Sequence, residues 1–268
     1  MSFDLFLTEP YFQRVLMTAL LVAATAATVG VFLVQRGMAL FGDGVAHMSF
    51  AGIAIGFVAG WMPLGSAVLV AGLGALAVQA LQRRGWARSD AALGIVYTSS
   101  LALGVVLVSR RGAVPVDVES YLFGNLLLAG EREFLLAAAV CLLVAGVVAV
   151  LWRPFLLLCF GEERARVQGL PAAALNTLFT LLTALTVVAS VRVVGVLLVS
   201  GLLIVPASAA GRLARSMGQA VLLSIAFAVL AVVVGLAVSA EFSLASGATI
   251  ALVATGVFLG TGIIPRRT

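Results

Sequence analysis

Long apolar stretches, separated by short clusters of arginine and turn residues, set the pattern of this chain. Windows free of Asp, Glu, Lys and Arg cover residues 15–35, 48–82, 91–109, 134–152, 167–191, 193–211, 216–240 and 242–265. The window 48–82 is too long for one crossing, and Trp61-Met62-Pro63-Leu64-Gly65 divides it with interface and turn residues. At about 20 residues per crossing, the pattern predicts about nine transmembrane helices. It predicts eight if the window 193–211, which holds Gly195, Gly201 and Pro206, is broken. The apolar runs are continuous and do not alternate in segments of about ten residues, so they predict an all-α polytopic protein and not a membrane β-barrel. One transmembrane domain spans residues 1–268. Two connections exceed a turn: an outer one at 110–133, whose apolar stretch 121–126 is short enough to be interfacial or re-entrant, and one at 153–171.

Composition agrees with a lipid solvent. Hydrophobic residues make up 63% of the chain and charged residues 10%, against about 25% charged in a soluble domain. A soluble fold of this size cannot bury that much apolar surface. The net charge of +5 comes entirely from arginine, since the chain has no lysine. In a membrane protein such charge marks cytoplasmic loops rather than nucleic-acid binding. With the N-terminus outside, Arg36, Arg83, Arg84, Arg88, Arg153, Arg164, Arg166, Arg212, Arg215, Arg266 and Arg267 fall inside, and Arg14, Arg110, Arg111, Arg132 and Arg192 outside. That bias predicts an N-out, C-in chain in a bacterial-type plasma membrane. No basic segment precedes the first span, so no cleavable signal peptide is expected. Cys141 and Cys159, placed near opposite ends of one predicted span, would stand about 27 Å apart and form no disulfide.

Three stretches carry candidate chemistry. Asp43 and His47, the sole histidine, are four residues apart, so a helix points both from one face. A carboxylate and an imidazole at that spacing can hold one transition metal. An ionisable pair at the start of a span reads first as functional. It would equally suit an Asp–His contact locking two helices, or an interfacial helix cap. Zinc takes about four ligands. One pair per chain therefore points to two copies around a two-fold axis, sharing a weak site that an ion can leave. The second stretch, 160–171, reads as a short charged helix (Gly161, Glu162, Glu163, Arg164, Ala165, Arg166) ended by Gly169 and followed by Pro171. Such an element suits docking of a cytoplasmic partner or a solvated loop. The third, with Gly195, Ser200, Gly201 and Pro206, suits a discontinuous helix lining a pathway or gate, or a small-residue packing helix. Without lysine the chain has no Walker A loop, and a single histidine rules out two-histidine zinc protease motifs.

Residues 36–47, 161–169 and 194–206, the last followed by Ala209 and Arg212, resemble the permeases of zinc- and manganese-type ABC importers, the ABC-3 family. The resemblance covers nearly the whole chain. It implies the fold of the cobalamin-importer class with one fewer N-terminal span. It also implies a homodimer, cytoplasmic ABC ATPase subunits that bind the ATP, and an external metal-binding lipoprotein. It places Asp43 and His47 against the transported divalent ion, and makes Gly161 to Gly169 the helix that couples to the ATPase. No cofactor is expected in this chain. The pair suits zinc, manganese and ferrous iron alike. Importers of metal chelates such as siderophores, haem or cobalamin are the alternative within the fold, but their wide paths need no ion-coordinating pair. A proton-coupled carrier would need embedded acids, and besides Asp43 the chain offers only border residues such as Asp90 and Glu241. A non-transporting scaffold would leave the embedded pair without a purpose.

Overall fold

A computed structural model describes residues 9–109, 130–242 and 244–263. Its elements are helices: α1 (Pro10–Gln35), α2 (Phe41–Ala59), α3 (Pro63–Arg83), α4 (Ser89–Ser109), α5 (Glu131–Val150), α6 (Trp152–Cys159), α7 (Glu162–Val167), α8 (Ala172–Val194), α9 (Val196–Leu213), α10 (Met217–Phe242) and α11 (Ser246–Ile263). The apolar stretch 121–126 lies outside the described residues. Seven helices, α1, α2, α3, α4, α8, α10 and α11, are long and apolar enough to cross a bilayer. The pair α5–α6, bent by 77°, is an eighth candidate. The window 193–211 forms α9, an 18-residue helix with Pro206 inside it. α9 follows α8 directly through Gly195 at φ +91°.

Several predicted boundaries shift. The second span starts at Phe41 rather than 48, which brings Asp43 and His47 inside a helix. The span predicted to start at 167 begins at Ala172, because residues up to Val167 belong to α7. Cys141 and Cys159 do not share one straight helix, since the bend at Leu151 separates α5 from α6; both are free thiols.

Lipid tails supply no hydrophobic force between helices, so close backbone contact must hold the bundle. A Cβ at Gly52 on α2 would sit 2.6 Å from Ala67 Cα on α3, and one at Gly235 on α10 would sit 2.6 Å from Ile250 Cα on α11. At Gly30 on α1, a Cβ would overlap the Leu203 carbonyl of α9. Larger side chains lock the remaining corner. The Phe32 ring of α1 packs edge-on against Trp152 and Phe155 of α6 and Phe179 of α8, at 5.6, 6.2 and 6.1 Å between centroids. Phe155 and Phe179 also meet at 5.5 Å. Phe32 and Phe155 are fully buried. Phe32→Ala opens a cavity between three helices and is expected to destabilise the protein by about 3 kcal/mol or more. Thermal unfolding in detergent micelles checks this, and an unchanged midpoint would show that the corner repacks without Phe32.

Candidate metal centre and coupling segment

α1 ends in a tight cap. Gly37, at φ +67°, lets its own N–H reach the Val34 carbonyl (3.1 Å) and the Met38 N–H reach the Leu33 carbonyl (2.9 Å). A Cβ would strain that left-handed conformation. The chain turns within five residues and restarts as α2 at Phe41, so Asp43 falls in the first turn and His47 one turn later. His47 Nε2 lies 3.8 Å from Asp43 Oδ1, beyond hydrogen-bond length. Two ligands at about 2.05 Å from one tetrahedral ion stand roughly 3.3 Å apart, so a small rotamer change brings the pair to chelating geometry. The neighbouring Gly42, Gly44, Val45, Ala46 and Met48 are buried, whereas the Asp43 and His47 side chains are 38% and 17% exposed. Helix α2 thus offers an otherwise apolar interior one accessible carboxylate and one accessible imidazole. Tyr97 of α4 packs its ring 5.0 Å from the imidazole, a contact that sequence spacing does not reveal. Among the described residues no group of three or more His, Cys, Asp or Glu could hold a metal ion.

The start of α2 also borders a cavity of about 210 Å³, lined by Met38, Leu40, Phe41, Gln82, Asp90 and Leu93 among others. Of the third candidate stretch, Pro206 lies inside α9 and is buried, and a Cβ at Gly201 would meet the Ala251 Cβ of α11 at 3.7 Å. α9 also packs against α2, where the Leu203 side chain would meet a Cβ at Gly42 at 3.7 Å.

The charged stretch after α6 does form a helix. Glu162 and Glu163 occupy the first turn of α7 and Arg164 and Arg166 the last, which complements the helix dipole. Gly161 precedes it at φ +116°. Gly169 closes it at φ +75°, with the Leu170 N–H bonded to the Ala165 carbonyl at 3.1 Å. Ala165 is buried, while Glu163, Arg164, Arg166 and Val167 are exposed. The segment therefore buries Ala165 against the bundle and presents exposed charges, with Phe160 and Val167 exposed as well.

Sequence spacing gives no hint of the polar contacts that seat α7. Asn176 of α8 accepts a hydrogen bond from the Arg36 guanidinium and donates from Nδ2 to Glu162 Oε1 at 2.7 Å. The other oxygen of Glu162 pairs with Arg166 at 3.2 Å. Arg36 also lies over the Phe179 ring at 4.9 Å, and its NH1 is buried without a partner. Burial lowers the Arg36 pKa, with the charge of Glu162 acting the other way, but a guanidinium remains charged throughout. Arg83, at the end of α3, donates to the Ala173 carbonyl at 2.8 Å and to Thr177 at 3.3 Å. The one signal visible in the sequence was Asn176 itself, one of two asparagines in the chain and set in an apolar span, where a polar residue calls for a partner.

The described residues thus form an all-helical bundle of seven long apolar spans, a bent eighth candidate and a short capped helix before α8. The chain belongs to the ABC 3 transport family, whose model matches residues 8–264. It is 32% identical, over 96% of its length and 88% of the relative's, to the manganese transport system membrane protein MntC of Halalkalibacterium halodurans. It is also 32% identical to the high-affinity zinc uptake system membrane protein ZnuB of Haemophilus influenzae, over 91% of this chain and 94% of that protein. Among solved structures, PsaBC from Streptococcus pneumoniae in complex with Fab superposes with a TM-score of 0.88 at 30% identity, covering 98% of this chain and 95% of the matched one.

Proposed function

We propose that this chain is the membrane permease of an ATP-driven importer of divalent transition-metal ions, with Asp43 and His47 contacting the ion. The observation that carries this reading is the accessible Asp43–His47 pair on α2, set in an apolar helix of a family permease. Relatives named for manganese and zinc transport support a bare ion as cargo. Two copies of the chain bring two pairs to one path and together supply the four ligands that one lacks. Cytoplasmic ABC ATPase subunits bind and hydrolyse ATP, and an external metal-binding lipoprotein delivers the ion.

The orientation is N-out and C-in, in a bacterial plasma membrane. Arg36 and Arg83 both bond to the first turns of α8 beside α7, and Arg215 lines a cavity there with Cys159 and Phe160. This shared arginine-rich end supports a cytoplasmic assignment. Deleting the chain from its host and measuring uptake of manganese, zinc and ferrous iron separately tests the reading. Loss of at least one ion's uptake, restored by the intact gene, is expected; unchanged uptake of all three would overturn it.

Helix α7 is the docking element for the ATPase, through its exposed charges and the exposed Phe160 and Val167. Glu163→Arg, or deletion of residues 162–166, is expected to reduce co-purification of the ATPase subunit by at least about tenfold, the equivalent of 1.4 kcal/mol. The external face should remain intact, as read by binding of the lipoprotein. Undiminished recovery of the ATPase after the deletion would reduce the segment to a loop.

A further inference from the structure

We propose that Asn176 and Arg36 are transmission residues: the chain Glu162–Asn176–Arg36 carries movement of α7 to the α1–α2 turn, and through it to Asp43 and His47. The inference rests on the reading above, in which α7 meets the motor and the α2 pair meets the ion. It adds the physical link between them.

The link is short and directional. Glu162 lies in the first turn of α7, and the Asn176 amide bridges it to Arg36 with both polar ends engaged. Asn176 is 8% exposed. A buried amide with both ends engaged resists re-orientation, because breaking either bond strands a polar group away from water. Arg36 is the capping residue of α1. The hydrogen bonds of Gly37 and Met38 back to Val34 and Leu33 make the turn after it stiff. Phe41 starts α2 with its N–H on the Met38 carbonyl at 3.0 Å, and Asp43 follows two residues later. A pull on the Arg36 guanidinium therefore acts on a capped turn continuous with the helix that bears the metal pair.

Two further features favour transmission over simple anchoring. Arg36 NH1 is buried with no partner, so the guanidinium has unused donor capacity that a shifted α7 can engage. Beneath Arg36 the Phe179 ring is held by Phe32 and Phe155, and the Cys159 thiol of α6 lies nearby. The adjustable part of the contact is the polar chain to Glu162. Arg83 and Thr177 bond within α3 and α8; these bonds hold α8 in place without being links of this chain.

The test uses the complete importer, permease with its ATPase and external binding protein, in liposomes, with Mn²⁺, Zn²⁺ and Fe²⁺ each supplied alone. Ion uptake and ATP hydrolysis are measured together. In Asn176→Leu, which removes both hydrogen bonds at similar volume, the ATPase should still co-purify and ATP hydrolysis should persist, while ions moved per ATP fall at least tenfold. Asn176→Asp, which sets a second carboxylate against Glu162, should lower the same ratio, whereas Glu162→Gln leaves an amide oxygen that still accepts from Asn176 and should lower it less. Combining the two keeps the total charge and restores the α7–α8 bond: the amide introduced on α7 donates to the carboxylate introduced on α8, which also accepts from Arg36. The double variant should recover most of the coupling lost in Asn176→Asp, a rescue that a packing role would not produce. An unchanged ratio in Asn176→Leu and Asn176→Asp, or a double variant no better than Asn176→Asp, overturns the proposal. If Asn176→Leu does not assemble, the charge-swap series decides alone. Absence of uptake in the wild-type importer for all three ions would instead overturn the functional reading, so the two failures are separable.

Discussion

Replacing His47 or Asp43 by alanine is expected to cut ion uptake by at least about 100-fold, since loss of a group that merely supports a ligand already costs 10–100-fold. The chain offers no second histidine, and the described residues hold no other cluster able to take over. Insertion and assembly should survive. Both side chains are partly exposed within α2, and their 3.8 Å separation is an ion-pair distance rather than a tight bond, so neither removal opens a buried cavity. Uptake by cells or liposomes, alongside immunoblotting and recovery of the ATPase, separates the two effects. A His47→Ala permease that moves manganese, zinc and iron at wild-type rates would sink the assignment. A variant lost from the membrane would instead favour the competing reading, in which Asp43 and His47 lock helices together. His47→Gln then discriminates further: it keeps much of the bulk and a hydrogen-bonding end, so it should preserve assembly and still fail in transport.

The bundle was legible because lipid imposes a coarse rule. Each crossing must be apolar for about 20 residues, and charge-free windows follow that rule. The rule fails where a charge faces the protein interior. The window starting at 48 misses the first two turns of α2, since Asp43 and His47 lie within that helix. It also cannot see a bend. Residues 134–152 read as one straight helix, yet the chain turns by 77° at Leu151 and restarts as α6 with Pro154 in its first turn, a position where the missing N–H costs nothing. That proline was the available signal for a restart.

The candidate site divides in the same way. Asp43 and His47 were legible as a pair because they share one helix, where spacing alone fixes the face. The α7 segment was legible from its glycines, charges and following proline. Tyr97 beside His47 was not, since the register of α4 against α2 is set by packing: a Cβ at Gly104 would come within 3.1 Å of Ala51 Cα, and Leu93 fills the space over Gly44. The contact of Arg36 with Asn176 joins residues 140 positions apart. No local period encodes such a meeting, although each residue is conspicuous by itself.

Glycine shows the difference between a residue type and its place. Gly201 stood out in the sequence as part of a candidate gating helix, whereas Gly30 looked like one more small residue in an apolar run. The contacts reverse that order. A Cβ at Gly201 meets only the Ala251 methyl at an ordinary 3.7 Å, while one at Gly30 overlaps the Leu203 carbonyl and comes within 2.9 Å of its carbon. Gly201→Ala should therefore change stability by no more than about 1 kcal/mol, with the gain in helix propensity opposing any slight crowding. Gly30→Ala should cost about 3 kcal/mol or more, the upper end of overpacking penalties, because the obstacle is backbone and cannot rotate away. It would force α9 off α1, and Leu203 away from Gly42 beside Asp43. Thermal unfolding in detergent, with the yield of monodisperse protein, measures both effects. A second-site test identifies the cause. At Gly44 the overlap is with the Leu93 side chain, so Leu93→Ala should restore Gly44→Ala toward wild-type stability. Leu203→Ala should give Gly30→Ala no such relief, because it leaves the clashing carbonyl in place. Wild-type unfolding of Gly30→Ala, or its rescue by Leu203→Ala, would mean that backbone contact does not set the α1–α9 spacing.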